Sequence, residues 1–203
     1  MDAAATTLLR LNLETQSHHE AADKLWAPLL VPNVTKWQYI AGLALVYGFE
    51  APLEAALAYT PNLRLAIDLR ARIRAGLVAQ DLIVLGLSPS EVADLPQCVP
   101  MAPFGSPLEA LGWLYVSERT TLHHEAVRRN VVGRLPDVAR ATAYLSVYDG
   151  IVGLRWQELG SAFDRFVRTD RAYEEVIAGA RAAFRCLEQW CGSATLGSIR
   201  AKR

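Results

Sequence analysis

Hydrophobic positions recur at helical spacing along almost the whole chain, and the alternating or β-branched runs typical of strands are nearly absent. The pattern therefore predicts an all-α fold. The long predicted helices span Ala4–Trp26, Thr35–Tyr59, Asn62–Ala79, Pro107–Asn130, Pro136–Phe163 and Asp170–Gly192. We expect a bend near Pro52 in the second of them, because proline removes a backbone hydrogen bond from a helix. A short turn is expected over Asp81–Leu85.

Several of these helices carry start signals. Thr35 and Asp170 can cap the helices that follow them. Ser88-Pro89-Ser90-Glu91 has the form of a capping box that opens a brief helix, and Ser106-Pro107-Leu108-Glu109 has the same form. Between them, Leu95–Pro107 contains four prolines and is predicted to be a loop. Because no repeat or low-complexity linker divides the chain, residues 1–203 are predicted to form a single domain.

Composition narrows the functional classes. Apolar residues make up 52% of the chain, and 21 basic residues balance 21 acidic ones. This balance gives no indication of nucleic-acid binding or of electrostatic membrane attachment. The start of the chain does not have the order of a signal peptide, and the longest apolar stretch, Tyr39–Phe49, is about half of what a bilayer requires. The three cysteines include no CxxC pair, so we expect a cytoplasmic protein without a disulfide framework.

Four segments, in this order, resemble the bacterial heme oxygenase family, particularly the branch that accompanies bacterial phytochromes. The segments are Leu9-Arg10 with Thr15 and His19, then Tyr47–Glu54, then Leu111–Glu118, and then Tyr148-Asp149-Gly150 with Gly153, Arg155-Trp156 and Leu159-Gly160. Phe184, Leu187, Glu188 and Trp190 resemble the last helix of the family.

The resemblance implies a heme oxygenase-like helical bundle that opens heme to biliverdin and releases iron and carbon monoxide. Heme would be both substrate and cofactor, and an external donor of the ferredoxin or reductase type would supply electrons. His19 would be the axial ligand of the iron, since a neutral imidazole can donate a lone pair while its other nitrogen is held by a hydrogen bond. Tyr115 would belong to the heme-binding wall.

The helical periodicity favours a different histidine. Leu8, Leu11, Thr15, Ala22 and Leu25 form an apolar stripe whose centre passes through His18, whereas His19 lies beside it. Packing or capping by one histidine and solvation of the other is the plainer alternative.

The sequence departs from the family after Glu118. There the family has a glycine-rich turn, which lets the distal helix approach the heme face closely. Here Arg119, His123 and His124 replace the three glycines. Arg119 and His123 should share one helix face, because they are four residues apart. These side chains could fill the pocket, a histidine could ligate the iron opposite His19, or the helix could shift outward and leave a donor for bound dioxygen.

Other residues have weaker assignments. Relatives often carry basic residues for the heme propionates before the axial histidine, where this chain has Asn12 and Gln16, so Arg155 or Arg10 is the substitute candidate. A non-heme metal site would need inward carboxylates. The candidates are Glu50, Glu54, Glu118 and Asp149, together with Glu14, His18, His123 and His124. Solvation is expected for Glu118, Glu125, Arg128 and Arg129. The alternative function is that of a catalytically silent relative that binds heme, another tetrapyrrole or a protein partner.

Overall fold

The computed structural model describes residues 3–98 and 103–193, and within these residues it contains helices and turns but no strand. The α-helices are α1 (Ala3–Glu14), α2 (Gln16–Asp23), α3 (Lys36–Tyr59), α4 (Leu63–Ala66), α5 (Ala75–Val84), α6 (Pro89–Ala93), α7 (Pro107–Thr120), α8 (His124–Arg134), α9 (Val152–Phe166) and α10 (Asp170–Ser193). The prediction of an all-α domain is confirmed.

Capping signals predicted helix starts well. The hydroxyl of Thr35 accepts a hydrogen bond from the Gln38 backbone, and the Gln38 side chain accepts one from the Thr35 backbone. Ser88 and Glu91 form the same reciprocal pair at the start of α6. At α10 the cap is one residue earlier than predicted, because the Thr169 hydroxyl accepts from the Ala172 backbone.

The first predicted helix is wrong in one respect, because it breaks at Thr15 into α1 and α2. Thr15 has φ −104° and ψ 2°, and it is fully buried. Its hydroxyl donates to the Leu11 carbonyl at 2.8 Å, a local bond that competes with regular helix geometry. The break lies just before His18 and His19.

The third predicted helix is also wrong. Instead of one helix over 62–79, the chain forms α4, a 3-10 turn at Arg70–Arg72, and then α5, which runs through the predicted turn at 81–84. The Glu54 carboxylate, from α3, accepts the backbone N–H groups of Arg74 and Ala75 and so caps α5 from a distant part of the sequence.

The two predicted helices that follow the proline-rich segment are shorter than expected. The helix from Pro107 is interrupted by a 3-10 turn at Thr121–His123, and α8 continues to Arg134. Thr120 and Thr121 donate their hydroxyls to the carbonyls of Ser117 and Glu118, which tightens this turn. The helix predicted from Pro136 begins only at Val152, after a 3-10 turn and a run of turns. Residues 99–102 of the predicted proline-rich loop lie outside the described residues.

The centre of the domain is the packing of α7 against α10. A Cβ atom added to Gly112 would meet the backbone at Val176 and Ala180, and one added to Gly179 would meet the backbone of Glu109. These two glycines let the helix backbones touch, so they cannot be replaced without separating the helices. Among the described residues, α3 is long and apolar enough to cross a membrane, and 67% of its apolar window is buried inside the domain.

Candidate functional site

The two candidate histidines lie on α2, just after the break at Thr15. Both are partly buried against Phe184 of α10, each with a ring-centroid distance of 5.6 Å. The His18 ring stacks nearly parallel to Phe184 at 10°, whereas the His19 ring is tilted by 43°. The Nε2 atom of His19 lies 3.2 Å from the Thr15 hydroxyl. Both histidines are therefore packed against α10, and the contact with Thr15 orients the ring of His19.

His19 is poised to be neutral. Burial lowers the pKa of His19, the guanidinium of Arg119 lowers it further, and the Asp23 carboxylate opposes both. Only the neutral imidazole carries a lone pair that can bind a metal ion. The chemistry of His19 therefore fits the axial ligand implied by the resemblance.

Asp23, one helical turn after His19, joins α2 to the distal side. Its carboxylate accepts two hydrogen bonds from Arg119, at 2.6 Å from Nη1 and 3.2 Å from Nη2. It also accepts one from His123 Nε2 at 2.9 Å. We call these three residues the Asp23 bridge. The expectation that Arg119 and His123 share one face is confirmed, because both reach the same carboxylate.

The side chains of the Asp23 bridge are only partly exposed to solvent. The side chain of Arg119 is 13% exposed and that of Asp23 is 34% exposed. Burial alone would raise the pKa of Asp23, but the hydrogen bonds and charge of Arg119 and the contact with His123 lower it overall. Asp23 is therefore ionised at neutral pH and holds both partners. Sequence reasoning did not identify Asp23 as a partner of the distal residues.

His124 lies in a different environment from its neighbour. Its ring packs on Tyr144 at 4.5 Å and edge-on to Trp26 at 5.6 Å, and it is 4% exposed. Neither ring nitrogen has a hydrogen-bond partner within the described structure. Burial, together with the nearby Arg74 guanidinium, holds the pKa of His124 well below its usual range. The structure therefore places His124 in an aromatic enclosure in the core, away from the Asp23 bridge.

Tyr115 is close to the histidines, whereas Arg155 is not. The buried Tyr115 hydroxyl lies 3.5 Å from the Thr15 hydroxyl, which in turn contacts His19. Arg155, on α9, instead forms an ion pair with Glu158 at 2.9 Å. Arg10 is bound to Glu14 at 2.8 Å and stacks on the Tyr173 ring. Both arginines are thus engaged by protein groups in this conformation.

A buried ionic cluster contacts α7 at Glu118, next to Arg119 of the bridge. Arg74 contacts Glu50 at 2.9 Å and Glu118 at 3.1 Å, and Arg72 contacts Glu118 at 2.8 Å. The side chains of these four residues are 1–3% exposed. The prediction that Glu118 is solvated is therefore wrong, because two arginines compensate its charge inside the protein.

Solvation was predicted correctly for Glu125 and Arg129, but not fully for Arg128. Glu125 and Arg129 are 75% and 74% exposed and pair with each other. Arg128 is half-buried and pairs with Asp149 at 3.1 Å. The non-heme metal hypothesis gains no support, since the carboxylates of Glu50 and Glu118 bind arginines. Residues 3–98 and 103–193 contain no group of three or more side chains arranged to hold a metal ion.

Open space lies elsewhere in the domain. One cavity of about 390 Å³ lies beside α2 and is lined by Lys24, Leu25, Gly42 and Cys191 among others. A second, of about 470 Å³, lies behind the turn at 121–123 and is lined by residues that include His124 and Arg128. Neither includes His19 or Arg119 in its lining. The interval between α2 and α7 is occupied by the Asp23 bridge.

Comparison with known proteins agrees with the helical architecture and with the order of the sequence segments. The family model described as heme oxygenase matches residues 5–192, which is nearly the whole chain. No curated protein matches the chain. Because the match extends from α1 through α10 and includes both the histidine-bearing helix and the helix of Arg119, the chain belongs to the heme oxygenase family.

Proposed function

We propose that this protein binds heme between α2 and α7 with His19 as axial ligand, and opens it to biliverdin with release of iron and carbon monoxide. The observation that carries the proposal is the partly buried imidazole of His19, on a helix that Asp23 and Arg119 join to α7. Membership of the family supports heme as the ligand. When bound, heme would supply the iron at which dioxygen is activated, and an external donor of the ferredoxin or reductase type would supply electrons.

The two walls differ in how well they fit heme. On α2, burial and Arg119 lower the pKa of His19, which favours the neutral ring that can bind iron. Its Nε2 contacts the Thr15 hydroxyl, which already donates to Leu11, so Nδ1 carries the free lone pair until that contact opens. On the opposite wall, Arg119 and His123 reach across to Asp23 with contacts of 2.6–3.2 Å. A flat ligand needs about 3.5–4 Å to the atoms on each of its faces, hence about 7–8 Å in all. Heme therefore fits only after the Asp23 bridge has opened.

Opening the bridge changes the role of its members. Arg119 and His123, once released, become hydrogen-bond donors on the distal side, and the guanidinium can pair with a carboxylate of the ligand. Released Asp23 lies one turn after His19 and can accept a proton or a hydrogen bond at the edge of the site. Under this proposal the bridge limits how readily heme enters, and it sets a slow rate of turnover.

The Asp23 bridge also favours a second candidate function. A catalytically silent family member would keep the bridge closed, or would place His123 on the iron opposite His19, and so block the dioxygen position. The narrower placement within the phytochrome-associated branch, on the strength of the four sequence segments, is likewise a proposal, and so is a cytoplasmic location.

Absorption spectroscopy of the heme-reconstituted protein separates these functions. We expect a five-coordinate or water-ligated ferric spectrum that converts to a biliverdin spectrum when reductant and air are supplied. A six-coordinate bis-histidine spectrum, or heme binding without conversion under the same electron supply, would support the silent relative. Failure to bind heme at all would contradict both heme proposals and leave a protein partner.

A further inference from the structure

Two cysteine side chains from distant parts of the chain lie against each other. The Sγ atoms of Cys98 and Cys186 are 3.2 Å apart, and both cysteines are free thiols. Cys98 ends the described part of the segment after α6, where its backbone N–H donates to the Gly48 carbonyl at 2.7 Å. Cys186 lies on α10. Because a disulfide bond is about 2.05 Å long, the two sulfur atoms need to approach by about 1 Å to bond.

We propose that Cys98 and Cys186 form a redox modification site, at which hydrogen peroxide closes an intramolecular disulfide that a dithiol reductant reopens. The proposal concerns a part of the molecule that does not contact His19 or the Asp23 bridge, and it does not depend on heme binding.

The chemistry proceeds in two steps. The Cys186 thiolate attacks one peroxide oxygen and the O–O bond breaks. Cys186 becomes a sulfenic acid, and the hydroxide that leaves takes up a proton to give water. The Cys98 sulfur then attacks the Cys186 sulfur, the S–O bond breaks, and a second water leaves as the S–S bond forms. In total, two thiols lose two hydrogens and one peroxide is reduced to two waters.

The surroundings of the two thiols suit these different roles. Cys186 is partly exposed, so peroxide can reach it, whereas Cys98 is 6% exposed. The hydrogen bond between the two thiols lowers the pKa of Cys186, and the same pairing, together with burial, raises that of Cys98. A thiolate is the reactive form, so Cys186 is the attacking residue and Cys98 the resolving one.

The third cysteine is an internal control. Cys191 lies on the same helix, and burial raises its pKa to about 11. It is therefore protonated at neutral pH and reacts slowly with peroxide. Oxidation is expected to consume two of the three thiols and to leave Cys191 reduced.

The cross-link would also restrain the fold. It joins residues that are 88 positions apart and ties α10 to the segment after α6. Closing so long a loop removes entropy from the unfolded chain, so we expect the midpoint of thermal unfolding to rise by roughly 5–10 °C on oxidation.

The test uses the purified full chain without added heme, treated with hydrogen peroxide and then with a thiol-alkylating reagent. Cleavage after Arg185 and Glu188 separates Cys186 from Cys191, so mass spectrometry can identify which cysteine is linked. We expect a peptide linked through Cys98 and Cys186 that disappears after treatment with dithiothreitol, in the wild type and equally in Cys191→Ser. In Cys98→Ser we expect a sulfenic acid on Cys186 that dimedone traps.

Three results would overturn the proposal. They are retention of all three thiols at peroxide concentrations that oxidise free glutathione, a link that involves Cys191, and disulfide dimers in place of the internal link. The wild-type and Cys191→Ser measurements decide the question even if Cys98→Ser or Cys186→Ser fails to fold. None of these results bears on heme binding, so failure here leaves the proposed function untouched.

Discussion

Removal of the Asp23 carboxylate should tighten heme binding. In the folded protein, Asp23 accepts a two-pronged hydrogen bond from Arg119 and a third bond from His123. Hydrogen bonds between charged groups contribute about 1.5–3 kcal/mol when buried, and exposed ion pairs contribute less than about 1 kcal/mol. Since the Asp23 side chain is 34% exposed, we take the bridge to be worth about 1–2 kcal/mol.

That energy opposes heme if the bridge must open first. The apparent Kd of a ligand equals its intrinsic Kd divided by the fraction of protein in the open conformation. Removing about 1–2 kcal/mol of free energy that favours the closed bridge should therefore tighten heme binding about 5–30-fold in Asp23→Ala. Loss of Asp23 also lowers the pKa of His19, because the carboxylate raises it in the wild type. Both effects tighten heme binding at neutral pH.

A heme titration followed by the Soret absorbance measures this change. Glu20→Ala is the matched control, since it removes one negative charge from an exposed position of the same helix. Adding Arg119→Ala to Asp23→Ala should weaken binding again, because the released guanidinium would otherwise pair with a carboxylate of the ligand. If Asp23→Ala binds heme no more tightly than the Glu20→Ala control while its circular dichroism stays native, the bridge does not limit entry and the reasoning fails.

Three further predictions concern the histidines and the distal side. His19→Ala should weaken heme binding by about 100-fold or more, which exceeds the usual loss for a residue that only supports a metal ligand. His18→Ala should weaken heme binding less. The reverse order in a Soret titration would show that the apolar stripe identified the ligand correctly. Glycine at 119, 123 and 124 together should raise the rate of biliverdin formation under a supplied electron source. Helix propensity alone then costs about 2–3 kcal/mol in stability, and the cavity left by buried His124 adds to that cost. Brisk wild-type turnover that the glycines do not improve would show that Arg119 and His123 do not obstruct the site. The pKa of His124 in the folded protein lies below its ordinary value of 6.5. The contribution of His124 to the free energy of unfolding is therefore complete above pH 6.5. It declines by up to about 1.4 kcal/mol per pH unit as the pH falls from 6.5 towards the pKa of the folded state. Urea unfolding at pH 7, 6 and 5 should show a smaller decline for His124→Phe, and equal declines would contradict this assignment.

Local chemistry explains which parts of the fold could be predicted from sequence. The Thr35 and Ser88 capping boxes need only residues within one turn, so they located the starts of α3 and α6 correctly. The start of α5 depends on a carboxylate from Glu54, about 20 positions earlier, and no local pattern reveals such a partner. The break at Thr15 is local, but threonine is tolerated within helices often enough that a single hydroxyl does not predict it.

The candidate site could likewise be predicted where helical spacing decides the arrangement, but not where a distant contact does. The shared face of Arg119 and His123 follows from helical spacing and was predicted. Their partner Asp23 was not, because the contact depends on how closely the turn at 121–123 approaches α2. Charge alone also gave a wrong prediction of exposure. Glu118 is buried, although it is a charged residue of the same stretch as the exposed Glu125 and Arg129. Only the tertiary position of Arg72 and Arg74 explains why a carboxylate can lie there.

The backbone contact at Gly112 and Gly179 determines which helix can move when the bridge opens. Because no side chain separates α7 from α10 at this crossing, the two helices can neither slide nor roll past each other without a backbone collision. We therefore expect α7 and α10 to move together, and Glu118 in the ionic cluster adds a further attachment of α7. Displacement is then expected to fall to α2, with the non-helical backbone at Thr15 as its hinge. On this reasoning, access to the site is controlled from the histidine-bearing helix, whose histidines lie against the Phe184 ring on α10.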